Sequence, residues 1–528
     1  MSDSTSTVQQ AFVLGLDGVP WQLIDRWAAA GELPNFAQLM SDGATGPLES
    51  TRPPTTPLAW PSIATGVWPD KHGIYGFQNL SEEYTHRMYT SQDLRQPPMW
   101  EQVDPAVVGN VPLTYPARQI EGEMVTGMMT PTRDTGFTHP PDLDDHIKSE
   151  IPDYVISIDY PNYVDDLDRF TLAVEAMLES RRALLELLMD RHDWQLFFFV
   201  FTAPDRLQHL IWEEESVLDH YRSLDAILGQ VIEYVDHHGS DLYVLSDHGF
   251  GPLESLVYVN HILEQQGYLR RREDDGTRRA LARLGLTRDF IKRGLHWMGV
   301  SDEFLTSKLP RSLVDRVATQ FPGEHALYDV DYGETTAFVH DSGNCYINDT
   351  ARFASGTVDP RDIEPIKDEL TTLFESVTDE SDTQLLRVFD GDDLFPTDPE
   401  SPDLIVNGRD GYETRTALTD EPIGDTGATV ASHRSQGIML CYGPSIEPGA
   451  ALRGARVVDV APTVLHGMGR PVPANVDGRV LFDAFRDDAR PSRERVEHVD
   501  LSRVTADEQV EADFSSVESR LKGLGYME

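Results

Sequence analysis

The sequence predicts an α/β fold, with a central, mainly parallel sheet carrying helices on both faces and one helical insertion. Two observations lead there. Short runs such as Ala11–Leu16 (AFVLGL), Trp194–Phe201 (WQLFFFVF, polar only at Gln195) and Leu242–Leu245 are apolar, as strands covered on both faces must be. Between them lie stretches with apolar residues at helical spacing, such as Leu172, Ala176, Leu184, Leu187 and Leu188. At 528 residues the chain is long for a single core. Its pattern divides into a main domain over 9–485, a helical insertion at 268–330 within it, and a tail from 486 to 528.

In chain order, the first strand ends in Asp17-Gly18. Helices are expected around Trp21–Ala30 and Pro34–Ser41. The stretch Arg52–Ile74 (RPPTTPLAWPSIATGVWPDKHGI) then places a hydroxyl-rich turn before a short apolar helix ending at Thr65-Gly66. Proline is favoured just inside a helix start, so Pro57 is expected as the first helical residue and Thr56 as the N-cap. An irregular, Pro- and Tyr-rich region runs to about Leu94. Strands are expected at Val107–Pro112 and Met124–Met129, a long helix over Asp165–Arg191, and another over Leu218–Val235. The stretch 270–320 is rich in arginine and lacks a strand pattern. Strands return at Thr336–His340, Cys345–Ile347, Leu404–Val406 and Gly437–Tyr442, with a helix near Pro360–Val377. In the tail, Val510, Phe514, Val517, Leu521 and Leu524 fall at spacings of four and three, the stripe of an amphipathic helix packed back on the domain.

Charge narrows the choice of function. The chain has 89 acidic and 44 basic residues, a net charge of −45, and only six of its basic residues are lysine. Such a surface repels nucleic acid backbones and anionic membranes. It suits a halophilic protein in a saline cytoplasm, where charges are screened over about 3 Å at 1 M salt. No membrane span is expected, because the longest strongly apolar run, Leu196–Phe201, is far too short. The N-terminus does not read as a signal peptide, so a soluble, cytoplasmic protein is expected. Cys345 and Cys441 are too few for a disulfide framework and read as buried small residues.

Residues that can bind metal recur at element ends. Asp17 closes the first strand, Asp205 and His209 follow Trp194–Phe201, Asp247 and His248 follow Leu242–Leu245, and His433 precedes a late strand. An isolated acid after a strand is usually a cap or a turn former. In an open parallel sheet, however, ligands gather beyond the carboxyl ends of the strands, so these positions can converge on one rim. Three carboxylates and three imidazoles suit zinc or another first-row divalent ion such as manganese, and six ligands exceed the needs of one catalytic ion. Two ions could activate the Thr56 hydroxyl and neutralise a leaving oxygen.

The order of Asp17, the Thr56 helix, the D-x-x-x-H pair, the D-H pair and a late histidine resembles the alkaline phosphatase superfamily. Within it, the match is to the type I phosphodiesterase/nucleotide pyrophosphatase branch. Thr56 lies nine residues before Thr65-Gly66, and WPDKHGI stands where the branch has Tyr-Pro-x-x-His-Gly-Ile. The segment 459–481 resembles the family's closing segment, so the likeness spans about Ala11–Leu481. The resemblance implies Thr56 as covalent nucleophile. It also implies Asp205, His209 and His433 on one ion, and Asp17, Asp247 and His248 on the other, with Thr56 bridging towards the second. The expected activity is metal-dependent hydrolysis of a small-molecule phosphoric ester, as a phosphodiesterase or phosphatase. A phosphotransferase acting on a sugar or lipid head group, and a non-catalytic metal-binding member, are the alternatives. The chain departs from the branch at two places. Nucleotide-cleaving members carry an asparagine 21 residues after the nucleophile, where this chain has Phe77, and Ala59 replaces a second frequent asparagine. Asn79 and Arg434 are the remaining candidates for holding phosphate, while His72, in the family motif, is expected to be structural. Substrate choice is expected to reside in the insertion and in the loops at 76–105.

Overall fold

The computed structural model describes residues 9–191, 194–272, 329–341, 343–379, 381–501 and 512–523. The expected insertion at 268–330 therefore lies, apart from its edges, outside the described residues, as do Val510 and Leu524. Its two edges meet, Arg271 bridging antiparallel to Val330, so the inserted segment leaves and rejoins the domain at one point.

The main sheet is built from β1 (Ala11–Leu16), β2 (Ala44–Glu49), β3 (Ala106–Gly109), β4 (Gly122–Val125), β5 (Thr138–His139), β6 (Leu196–Phe201), β7 (Asp241–Leu245) and β8 (Gln436–Tyr442). Their spatial order is β2-β8-β7-β1-β6-β3-β4-β5, with two short pieces, Ala450–Ala451 and Ala455–Arg456, beside β2. The five strands from β7 to β4 are parallel, and antiparallel β8 joins them to β2. The fold is thus α/β with a mostly parallel central sheet.

Because side chains alternate along a strand, the fully apolar runs feed two cores. Phe12, Leu14, Phe197, Phe199, Phe201 and Val244 face one side, where α1 (Trp21–Ala29), α2 (Pro34–Asp42) and the long helices pack. Val13, Phe198, Val200, Tyr243 and Leu245 face the other, against α3 (Thr56–Thr65). The long helices are α4 (Leu167–Met189) and α6 (Glu214–His238), with the short α5 (Ala203–Leu210) between them. Strand β3 stops earlier than expected, because backbone with positive φ follows at Asn110 (59°), and β4 also ends early, at Val125.

A second, smaller antiparallel sheet stands apart from the main one. Its strands, in spatial order, are Ala337–His340, Asn344–Ile347, Leu404–Gly408 and Leu386–Asp390. Helix α7 (Ile363–Glu375) buries Leu370 and Phe374 against Phe338, Cys345, Leu386, Leu404 and Val406 of this sheet. A late helix, α8 (Val460–Met468), packs beside α3. The tail helix α9 (Ser515–Gly523) places Val517 and Leu521 on Ile74, Phe77, Met88 and Leu113.

Candidate active site

Strands β1, β6 and β7 end level with one another: Gly15 pairs with both Val200 and Leu245. The residues that follow therefore emerge on a common rim. After β1, Asp17 leads into Gly18, whose φ of +74° makes a turn that a side chain would strain. A Cβ there would also lie 3.0 Å from the Asp205 Cα. The Gly18 N–H donates to Asp247 Oδ1 (3.2 Å), and its carbonyl accepts from Gln208 Nε2 (2.8 Å). The Ser246 hydroxyl accepts from the Val19 N–H (2.8 Å) and donates to the His248 carbonyl (2.6 Å). These bonds lock the three strand ends together.

The six charged or imidazole candidates fall into two groups. Asp205, His209 and His433 form one; Asp17, Asp247 and His248 form the other; within each, the possible ligand atoms lie within 4.8 Å of one another. Asp205 and His209 are one turn apart on α5, so they share a face. Asp205 Oδ1 lies 3.6 Å from His209 Nε2 and 3.3 Å from His433 Nε2. His248 Nε2 lies 3.3 Å from Asp247 Oδ2 and 3.7 Å from Asp17 Oδ1. The His248 and His433 rings approach to 4.0 Å between centroids, so the two groups share a wall. His433 precedes β8, as expected. It sits on a strand of its own, Ala431–Arg434, paired antiparallel with Gly249–Pro252, and there it faces Phe250.

The charges here are strained. Burial, and then the neighbouring Asp205, push the Asp17 carboxyl well above its ordinary range, and burial with Asp17 and Asp205 does the same to Asp247. Burial would also raise Asp205, but His209, His433 and Arg206 together hold it low. Burial pulls the His248 and His209 imidazoles down, favouring their neutral, metal-binding form. Asp247 Oδ2 is fully buried and has no hydrogen-bond partner among the described residues. Three carboxylates crowded into a dry rim are costly unless cations join them. Meanwhile the His248 Nδ1–H can donate to the Gly249 carbonyl (3.1 Å), leaving Nε2 turned towards the acids. The donor set and its orphaned oxygen fit divalent cations.

Helix α3 delivers the hydroxyl. It is buried on every side, as an apolar helix without a polar face must be. It meets the sheet at Gly15, where a Cβ would lie 2.3 Å from the Trp60 ring, so only glycine admits the indole. The Trp60 Nε1–H in turn donates to Asp17 Oδ2 (3.1 Å). This contact sets Thr56 over the rim, its Oγ1 3.2 Å from His248 Nε2 and 3.5 Å from Asp17 Oδ1. Thr56 is the first helical residue, not the N-cap; Thr55 takes that place, because its carbonyl already accepts from Leu58 and Ala59. Pro57 brings no N–H, so among the described residues the Thr56 N–H is the first turn's uncommitted donor.

The remaining candidates lie elsewhere. His72 is buried, 3.0 Å from the Ser62 hydroxyl, and holds α3 to the turn after it. The Asn79 amide donates to the Tyr89 hydroxyl (3.3 Å). The Phe77 side chain is buried beside the tail helix, and its N–H donates to Asp341 Oδ2 (2.6 Å). The Arg434 guanidinium donates to the carbonyls of Ser432, His433 and Pro252. A cavity of about 620 Å³ opens beside His433 and Thr55, walled on its far side by the second sheet. The sequence does not mark Gly15, Trp60 or Ser246 for the site, nor Glu413, which lies within electrostatic reach of His433 and His209. Their roles depend on contacts between segments far apart in the chain.

The profile of the type I phosphodiesterase / nucleotide pyrophosphatase family matches residues 11–437, short of the closing segment at 459–481. Among solved structures, human ectonucleotide pyrophosphatase / phosphodiesterase 5 is similar at 12% identity and a TM-score of 0.50, covering 89% of this chain and 97% of its own. The murine protein of the same name, inactive through a threonine-to-alanine substitution and in complex with AMP, is similar at 10% identity and a TM-score of 0.50. It covers 89% of this chain and 97% of its own. No curated protein sequence matches the chain significantly. With most of its length matched, the chain belongs to the type I phosphodiesterase / nucleotide pyrophosphatase family.

Proposed function

We propose that this family member is a two-metal hydrolase of phosphoric esters that works through a covalent phosphothreonine at Thr56. The observation that carries the reading is the position of Thr56 Oγ1, 3.2 Å from His248 Nε2 and 3.5 Å from Asp17 Oδ1, at the edge of one of two adjoining ligand groups. Asp17, Asp247 and His248 would hold one ion, and Asp205, His209 and His433 the other. Zinc suits this mixed set of nitrogen and oxygen ligands, with manganese a weaker fit. Bound divalent ions lower the pKa of a coordinated hydroxyl and offset charge on a leaving oxygen.

The chain's own residues do the rest. Trp60 and Gly15 fix the height of α3, so Thr56 Oγ1 is held in place before substrate arrives. The Thr56 N–H and the positive end of α3 face a phosphoryl oxygen. Thr56 Oγ1 attacks phosphorus in line, the bond to the leaving alcohol breaks, and the departing oxygen takes up a proton. Water then attacks the phosphothreonine, the P–Oγ1 bond breaks, and the hydroxyl of Thr56 is regenerated. The inactive threonine-to-alanine variant of the murine relative supports a threonine hydroxyl as the essential group. At Phe77 and Ala59 the chain lacks two asparagines that the resemblance associates with nucleotide cleavage, so the substrate class is the part of the reading that those positions do not support.

Thr56→Ala tests the reading. Turnover of p-nitrophenyl phosphate esters falls by at least about a thousandfold, the scale of a lost nucleophile. Metal content by atomic emission remains at two ions per chain. Near-normal turnover by the variant would refute the covalent step.

A further inference from the structure

The cavity beside the rim has a wall that none of the proposed chemistry uses. Strand pairing sets Arg387 opposite Asn407 and Phe389 opposite Ile405. With a period of two, Leu386, Val388, Leu404 and Val406 face the small sheet's own core, and Arg387, Phe389, Asn407 and Arg409 face the cavity. From the opposite side, the turn before α3 contributes Arg52, whose guanidinium lies 4.8 Å from the centre of the Phe389 ring. Arginines therefore meet from both walls, next to His433 and Thr55, in a chain of net charge −45.

These guanidinium groups are weakly neutralised. Arg409 donates to the Leu386 carbonyl (3.3 Å) and the Gln384 amide oxygen (2.7 Å), both uncharged. Arg52 reaches Glu49 only at 3.9 Å, and Arg387 is exposed. Of the other carboxylates lining the cavity, Glu413 pairs with Arg415, Asp410 is exposed and lies 3.7 Å from Arg434 Nε, and Asp341 accepts from the Phe77 and Gln78 N–H groups. Among the buried polar groups lining this space is the His340 imidazole, whose Nε2 has no hydrogen-bond partner among the described residues.

We infer that the cavity is a subsite for a second anionic group, a phosphate or carboxylate carried by the substrate beyond the scissile phosphoryl group and held by Arg387, Arg409 and Arg52. The inference rests on the hydrolase reading for the position of the scissile group and adds the class of substrate. Guanidinium forks suit oxyanions through paired, charge-assisted hydrogen bonds. A wall of arginines, in place of lysines, supplies that geometry.

The test uses the full-length, metal-loaded protein and two p-nitrophenyl phosphodiesters, one carrying a propyl group and the other a 3-phosphopropyl group. The wild type is expected to favour the phosphorylated ester by about tenfold or more in kcat/KM, the scale of two charge-assisted hydrogen bonds. In Arg387→Ala/Arg409→Ala that preference disappears, while the rate on the propyl ester stays within about twofold. Equal kcat/KM for both esters in the wild type, or a preference surviving in the double variant, would overturn the subsite. Calorimetric binding of propane-1,3-bisphosphate against propyl phosphate separates the two readings. Tighter binding of the bisphosphate by the wild type alone, without turnover of either ester, refutes the hydrolase and upholds the subsite. Equal binding by wild type and variant refutes the subsite.

Discussion

Two walls enclose the cavity, and they are built on opposite principles. The rim wall packs three carboxylates and three imidazoles at strand ends where nearly all water is excluded, so each group shifts its neighbours' protonation. The facing wall, on the small sheet, is open: Arg409 donates to uncharged carbonyl and amide oxygens, and Arg387 is exposed. On the first wall geometry is dictated by the core behind it; on the second, by strand register alone. The rim therefore tolerates almost no change, and the facing wall can vary without loss of the fold. A division of labour follows, chemistry on the rigid wall and selection on the permissive one.

The sharpest way to break this contrast is through the core behind the rim. Gly15→Ala places a methyl group 2.3 Å from the Trp60 ring and 2.8 Å from Val200 Cγ2. The expected cost is about 1–3 kcal/mol in unfolding free energy. The more telling effect is a fall in kcat of about a hundredfold, because α3 must move and carry Thr56 with it. Metal content is expected to stay unchanged. A variant with wild-type kcat would mean that the Gly15–Trp60 contact does not position the hydroxyl.

How much of this was legible in the sequence follows from the same contrast. Asp17, Asp205, His209, Asp247 and His248 directly follow apolar runs, so the strands mark them. The fold brings them together because β1, β6 and β7 are adjacent and end level. Thr56 was marked by the Pro-rich helix start, with an error of one position, since the Thr55 carbonyl accepts the first helical bonds. Nothing local marks Gly15 or Trp60, whose meeting depends on a helix laid across a sheet. Arg387 and Arg409 were equally silent: each is an ordinary exposed arginine until Leu386–Asp390 pairs with Leu404–Gly408. Substrate selection was accordingly expected in the insertion and the 76–105 loops. The tail stripe was visible, but its contact with Phe77 was not, because that surface exists only once the 74–129 region has folded.

Acid provides a second, smaller test, one that bears on the structural histidines flanking both walls. Burial, helped by Arg95, pushes the His72 imidazole down to about 3, and burial with His86 does the same to His340. The folded values lie below the ordinary 6.5, so the unfolded chain takes up these protons first. Their contribution to stability is complete above about pH 6.5 and drains away as the pH falls towards 3. The loss is about 1.4 kcal/mol per pH unit for each ring. Urea unfolding of His340→Phe across that range should give a shallower pH slope than the wild type. An unchanged slope would show that His340 takes up its proton as readily in the folded chain as in the unfolded one.

Salt is the mildest lever, and it acts on both walls. With a net charge of −45, self-repulsion weakens as KCl is added, since screening shortens to about 3 Å at 1 M. The thermal midpoint is expected to climb steadily to molar salt; full stability in salt-free buffer would show that self-repulsion does not limit the fold.

The most direct measurement concerns Thr56 itself. Metal-loaded protein is mixed with an aryl phosphate ester, quenched in acid within the first turnovers, and digested for mass spectrometry. One phosphoryl group is expected on the peptide carrying Thr56, and none in the Thr56→Ala protein treated identically. Rapid turnover with an unmodified Thr56, or a phosphoryl group on Thr55 in its place, would contradict the account.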